Sequence, residues 1–157
     1  MSRRSVWWAI LVGGSVAGTL DITYAIVVWA VRAQVPATRV LQSVASGLLG
    51  ASAFKGGLPV AALGLFLHFC IAFSWAAAFC FASRRITWLT RHAVVAGLGY
   101  GAVIFTVMNF VVLPLSAIPR KSPPHLSVAM ATELVAHMVL IGLPIALAAR
   151  RASTLRL

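Results

Sequence analysis

Four long apolar runs dominate this 157-residue chain and restrict what it can fold into. They cover residues 7–31, 58–82, 93–117 and 129–149. Each is long enough to cross a hydrocarbon layer of about 30 Å, in which a helix satisfies its own backbone hydrogen bonds. The sequence therefore predicts an all-α integral membrane four-helix bundle that forms a single transmembrane domain over residues 1–157.

Composition supports a membrane protein over a nucleic-acid-binding protein. Hydrophobic residues make up 61% of the chain and charged residues 10%, whereas soluble proteins contain about 25% charged residues. The net charge of +11 comes from short basic clusters at the ends of the apolar runs, such as SRRITWLTRH and AARRASTLR. Because a nucleic-acid-binding protein gathers its basic residues on one solvated face, we expect the lipid bilayer and anionic lipid head groups as partners, and no nucleic acid.

The basic residues also predict an orientation. With the N-terminus in the cytoplasm, eight Arg residues lie inside, and five Lys or Arg residues lie outside. This excess favours cytoplasmic N- and C-termini. The first run is longer than the apolar core of a signal peptide and contains Asp21, so we expect an uncleaved first span.

An additional amphipathic helix is predicted over residues 36–54, between the first and second spans. Pro36 suits its first turn, and the KGG sequence at 55–57 is expected to end it. One face carries the apolar residues Val40, Leu41, Val44, Leu48 and Leu49. This pattern is typical of a helix that lies in the membrane interface. It is interpreted either as a cap over the bundle or as a lid over a cavity.

Small residues four positions apart predict close helix packing. Gly14 and Gly18 have this spacing in the first run, and Gly97 and Gly101 have it in the third. Asp21 shares a helix face with Gly14 and Gly18, so its carboxylate is predicted to face the bundle interior. The same glycines permit a homo-oligomer.

Every predicted span carries a strongly polar residue within its apolar run. These residues are Asp21, His68, Asn109, Glu133 and His137. A rise of 1.5 Å per residue places three of them about 3 Å to the outer side of the midplane, Asn109 at about 6 Å and Glu133 at about 9 Å. The sequence thus predicts a buried polar site near the midplane, with Lys55 as a counter-charge from the outer side.

Three interpretations of this site remain open. The polar groups form a hydrogen-bonded network that only pairs helices, as in a structural or accessory protein. Alternatively, they hold or move a proton or small solute. A third arrangement uses His68 and His137 as haem ligands, or Asp21, His68, Glu133 and His137 as ligands of a transition metal. Translocation with no cofactor is the working hypothesis. No nucleophile motif such as G-x-S-x-G is present, so the chain is not expected to be an enzyme.

Several stretches carry a resemblance to a known family. AGTLDITYA, RVLQSVASGLLGASAFKGG and MNFVVLPLSAIP, together with LGLFLHF and IGLPIALAARR, span nearly the whole chain. They resemble a family of small, uncharacterised, four-span proteins of the bacterial inner membrane. The resemblance implies a multi-pass protein of that membrane and implies no activity.

Overall fold

The computed structural model describes residues 3–119 and 127–154, and these residues form helices without strands. Four helices are long and apolar enough to cross a membrane, by length and composition. They are called the first span (Arg3–Ala33), the second span (Gly57–Arg85), the third span (Ala93–Leu115) and the fourth span (Val128–Thr154). The prediction of an all-helical chain with four such helices is confirmed.

The span boundaries differ from the predicted ones. The first span begins at Arg3 and the second ends at Arg85, so both helices continue through residues that the hydropathy pattern excluded. The fourth span likewise continues to Thr154. Arg side chains can extend along a helix toward water, so a terminal charge does not end the helix. The third span ends two residues early, at Leu115, where Ser116 adopts an extended conformation.

A separate helix, Ala37–Leu49, joins the first and second spans and is called the connecting helix. It is shorter than the predicted helix over residues 36–54. Gly50 ends it with φ +62°, a left-handed conformation that glycine adopts without steric cost. A 3₁₀ helix, Gly50–Lys55, then leads to Gly57, where φ is again +62°. The predicted end at KGG is therefore wrong for the α-helix and applies only to the 3₁₀ segment.

The four spans are not packed equally. The first span packs against the second and fourth, and the third packs against the fourth, while the second and third share almost no close backbone contact. The connecting helix packs along the second span, where Gly64 lies under Leu41 and Ala45. It also reaches the end of the third span, because Ala117 N–H donates to Gly47 O at 2.9 Å. We call this end of the bundle the capped end.

Glycines set the closest helix contacts, as the small-residue spacing predicted. A Cβ on Gly18 would lie 2.8 Å from the Phe69 ring of the second span. In the third span, Gly97 and Gly101 lie directly against the backbone of the fourth span, which contributes Gly142 to the same crossing. The third and fourth spans therefore meet through backbone atoms, which leaves no room for a side chain between them.

Two spans contain a π-helical turn. These turns are Met108–Val112 in the third span and His137–Gly142 in the fourth. A Leu-Pro pair follows each one, with Pro114 and Pro144 as the prolines. A proline has no N–H and its ring clashes with the carbonyl four residues earlier, and the wider turn accommodates both effects.

Candidate functional site

A cavity of about 470 Å³ lies between the spans near the capped end. All four spans and the connecting helix contribute to its lining. Its walls are mostly apolar, with Leu67 and Ile71 from the second span, Ile104 and Met108 from the third, and Ile141 from the fourth. The volume lies within the range of about 300–1,000 Å³ that is usual for small-molecule sites.

Three of the five predicted site residues line this cavity. Asp21, His68 and His137 come from the first, second and fourth spans. The Asp21 side chain is half-buried and lies within electrostatic reach of both histidines. Among the described residues, no hydrogen bond or ion pair reaches its carboxylate. The cavity therefore brings together an acid and two imidazoles without locking them to one another.

His68 joins the second span to the first. Its Nε2 lies 2.9 Å from Gly18 O, which is one helical turn before Asp21. Because a carbonyl oxygen only accepts, Nε2 carries the proton in this contact, and a neutral His68 keeps Nδ1 as an acceptor. The Phe69 ring packs edge-on against the imidazole, with the centroids 5.6 Å apart. His68 thus has a fixed ring orientation and one basic nitrogen left.

His137 begins the π-turn of the fourth span. Its Nδ1 donates to Glu133 O, 2.8 Å away in the preceding turn, so a neutral His137 keeps Nε2 as an acceptor. Phe105 of the third span holds the ring edge-on, with the centroids 5.4 Å apart. The two histidines therefore face the same cavity, and each is oriented by one backbone carbonyl and one phenyl ring.

Asn109 and Glu133 do not line the cavity. The third-span residues that do are Ile104, Met108, Val112 and Leu113. Asn109 follows Met108 by one residue within the π-turn and does not lie among them. Its amide Nδ2 donates to Phe105 O at 3.0 Å, in its own helix.

Glu133 lies one turn closer to the capped end than His137, and it interacts electrostatically with His137, with Asp21 and, least of the three, with Arg32 at the end of the first span. Lys55, the counter-charge expected from the sequence, is exposed in the 3₁₀ helix. The sequence analysis assigned Arg32 only to topology.

The connecting helix covers the cavity with Ser43, Val44, Gly47 and Leu48. Gln42 holds it in place, because its Nε2 donates to Gly57 O at 3.0 Å. The apolar face predicted for this helix is not simply turned toward the bundle, since Leu48 and Leu49 are exposed while Gln42 and Ser46 are buried. Small and polar side chains allow it to pack closely on the second span.

A second groove of about 600 Å³ lies along the first half of the connecting helix. Trp29, Arg39 and Phe54 are among its walls, and Arg39 both stacks on Phe54 and donates to its carbonyl at 2.9 Å. Ser43 lines this groove as well as the cavity. The two spaces therefore lie along one face of the connecting helix and approach each other at Ser43.

The contacts of His68 and His137 limit how a haem or a metal ion could bind these two side chains. Within residues 3–119 and 127–154, no group of three His, Cys, Asp or Glu side chains is arranged to hold a metal ion. His68 Nε2, the nitrogen that usually binds haem iron, is taken by Gly18 O. With these contacts in place, haem iron or a metal ion could reach His68 only through Nδ1 and His137 only through Nε2.

Sequence reasoning did not identify the connecting-helix residues of the cavity, its Trp75 wall or the π-turns. Helical periodicity finds apolar faces but does not show which face a neighbouring element covers. The π-turns did have a signal, the Leu-Pro pair that recurs in the third and fourth spans.

Comparisons with protein-family models, curated proteins and solved structures give no match. The resemblance to small four-span proteins of the bacterial inner membrane therefore stays an expectation. The chemistry of the cavity carries the functional assignment.

Proposed function

We propose that this chain is a multi-pass membrane protein that moves a proton or a small solute through the cavity at Asp21. The observation that supports this proposal is the meeting of Asp21, His68 and His137, from three different spans, on one cavity. Intramembrane acids are costly and face bundle interiors or water-filled spaces where they serve ion and proton pathways. A helix-pairing role alone would favour direct contacts over groups that share a space.

The three groups supply the chemistry for proton transfer. The Asp21 carboxylate accepts a proton, and each neutral histidine offers one unengaged ring nitrogen, His68 Nδ1 or His137 Nε2. An imidazole accepts a proton at one ring nitrogen and releases one at the other, so a proton can pass between these groups. The backbone contacts keep both rings in place while the opposite nitrogens exchange protons.

Reconstitution tests the proposal directly. The purified protein is placed in liposomes with a pH-sensitive dye inside, and the lumenal pH is followed after an imposed pH step or potential. Asp21→Asn keeps the side-chain size and removes the acid, so the protein-dependent flux should fall at least about tenfold, equivalent to 1.4 kcal/mol. The unfolding free energy should change by less than about 1 kcal/mol, because no hydrogen bond is lost.

Ser74→Ala provides the matched control. Ser74 is exposed on the second span and its hydroxyl donates to Cys70 O, away from the cavity, so this variant should keep the wild-type flux. Equal fluxes from wild-type protein, Asp21→Asn and protein-free liposomes would rule the proposal out.

A second candidate is a structural or accessory membrane protein whose polar groups only pair helices. One contact favours it, because His68 Nε2 bonds Gly18 O and so ties the second span to the first. Under this alternative, His68→Ala lowers stability by about 1 kcal/mol. Asp21→Asn would then change neither flux nor any other transport property, which separates the two candidates.

The proposal includes a location and an orientation. The bacterial inner membrane follows from the family resemblance, and cytoplasmic N- and C-termini follow from the basic residues. Anionic head groups would contact the end opposite the capped end, where Arg84, Arg85, Arg150 and Arg151 are exposed. Reporter fusions at each terminus should both be active in the cytoplasm, and a periplasmic signal from either would overturn this orientation.

A further inference from the structure

We propose that the cavity binds organic cations that have an apolar body, such as lipophilic amines and quaternary ions. This inference rests on the proposed function, for which it names the class of solute. Three independent observations support it: the charge of the lining, its apolar surface and the direction in which the cavity opens.

The charge of the cavity lining favours a cationic ligand over an anionic one. Asp21 is its acidic lining residue, His68 and His137 line it as imidazoles whose N–H groups are engaged by backbone carbonyls, and no Lys or Arg is among the described residues that line it. The chain as a whole contains 13 Lys and Arg against 2 Asp and Glu, so basic side chains are available in excess and are kept out of this space. A cation therefore gains the attraction of Asp21, while an anion loses its hydration and meets a carboxylate.

The side chains of the cavity walls favour a ligand with a large apolar surface. Aliphatic side chains cover most of the surface around Asp21, and the Trp75 indole provides an aromatic wall from the second span. Aromatic faces attract cations, and this attraction grows when the cation leaves water. A small hydrated metal ion would find no cluster of three ligating side chains among the described residues, whereas an organic cation would bury its apolar surface and keep its charge near the acid.

The opening favours entry from the lipid layer. Tyr100 of the third span joins the second span through its hydrogen bond to Trp75 O. Between that bond and the capped end, the two spans share almost no close backbone contact, and the lining residues Ile71 and Val112 are exposed. At the capped end, the connecting helix closes the cavity, and Arg32 and Arg39 lie exposed beyond it. These cations repel a positive solute that approaches from water, so a lateral path between the second and third spans suits a lipophilic one.

Two probes of matched shape and opposite charge test the inference. Radiolabelled tetraphenylphosphonium and tetraphenylborate are equilibrated with the protein in phosphatidylcholine nanodiscs, and binding to protein-free nanodiscs is subtracted. The wild-type protein should bind the cation at least about tenfold more tightly than the anion, despite a net charge of +11 that favours the anion elsewhere. Equal binding, or tighter binding of the borate, would overturn the inference.

Variants locate the bound cation. Asp21→Asn should weaken tetraphenylphosphonium binding at least about tenfold, and Ser74→Ala, on the exposed face of the second span, should leave it unchanged. Cation binding that does not depend on Asp21 would overturn the assignment to this cavity. The charge comparison on the wild-type protein remains decisive even if Asp21→Asn fails to fold.

The binding experiment and the flux experiment test the two proposals separately. Asp21-dependent proton flux without selective cation binding would refute organic cations as solutes and leave translocation standing. Selective cation binding with no flux of protons or of labelled cation in liposomes would instead refute translocation and leave a binding protein.

Discussion

Replacing Gly101 with alanine should separate the third and fourth spans at the point where the cavity begins. A Cβ at this position would lie against His137 O and Met138 Cα, and 2.7 Å from the His137 carbonyl carbon. Ordinary contact begins at 3.4 Å, so the two backbones would have to part by about 0.7 Å or more. Because the obstacle is backbone and not a flexible side chain, no rotamer change relieves it.

The expected loss follows from a comparison with Gly99, two residues away in the same helix. A Cβ on Gly99 meets nothing within 4 Å. Alanine improves helix propensity by about 1 kcal/mol at either position, so this gain cancels in the difference between the two variants. What remains is the cost of overpacking, about 1–3 kcal/mol, by which Gly101→Ala should be less stable than Gly99→Ala.

Equilibrium unfolding in mixed micelles of increasing dodecyl sulfate content, followed by far-ultraviolet circular dichroism, measures this difference. The same displacement moves His137, so Gly101→Ala should also lower the flux in liposomes while Gly99→Ala retains it. Equal unfolding free energies for the two variants would refute the backbone-to-backbone crossing.

The connecting helix gives the remaining prediction. Gln42→Leu removes the hydrogen bond to Gly57 O and should lower the unfolding free energy by about 1 kcal/mol, whereas Ser52→Ala, at an exposed hydroxyl, should change it by less than about 0.5 kcal/mol. The same Gln42→Leu variant should bind tetraphenylphosphonium more weakly, because it loosens one wall of the cavity. An unchanged stability and affinity would show that this bond does not hold the helix.

The sequence predicted those features that depend on residues close together within one helix. Apolar length alone predicted four helices, since a hydrocarbon layer requires about 20 residues per crossing. The four-residue spacing of Gly14 and Gly18 and of Gly97 and Gly101 predicted close packing, because side chains at that spacing share one face. The same rule placed Asp21 toward the interior.

The parts that the sequence did not predict depend on neighbours and on helix irregularity. Asn109 was grouped with the other polar residues because of its predicted depth in the membrane. Depth does not show which way a side chain points around the helix axis, and Met108, not Asn109, lines the cavity. Lys55 was expected as a counter-charge for the polar site, but its side chain is exposed in the 3₁₀ helix and does not line the cavity. Beyond His137, the π-turn shifts the helical phase, so a regular 3.6-residue wheel misassigns the faces that follow.

The position of Ser43 on the connecting helix affects both the cavity and the groove. Its side chain borders both the cavity and the groove, so the two spaces come closest to each other at this residue. A side chain larger than serine at position 43 should therefore reduce both volumes, whereas glycine should bring the two spaces closer together.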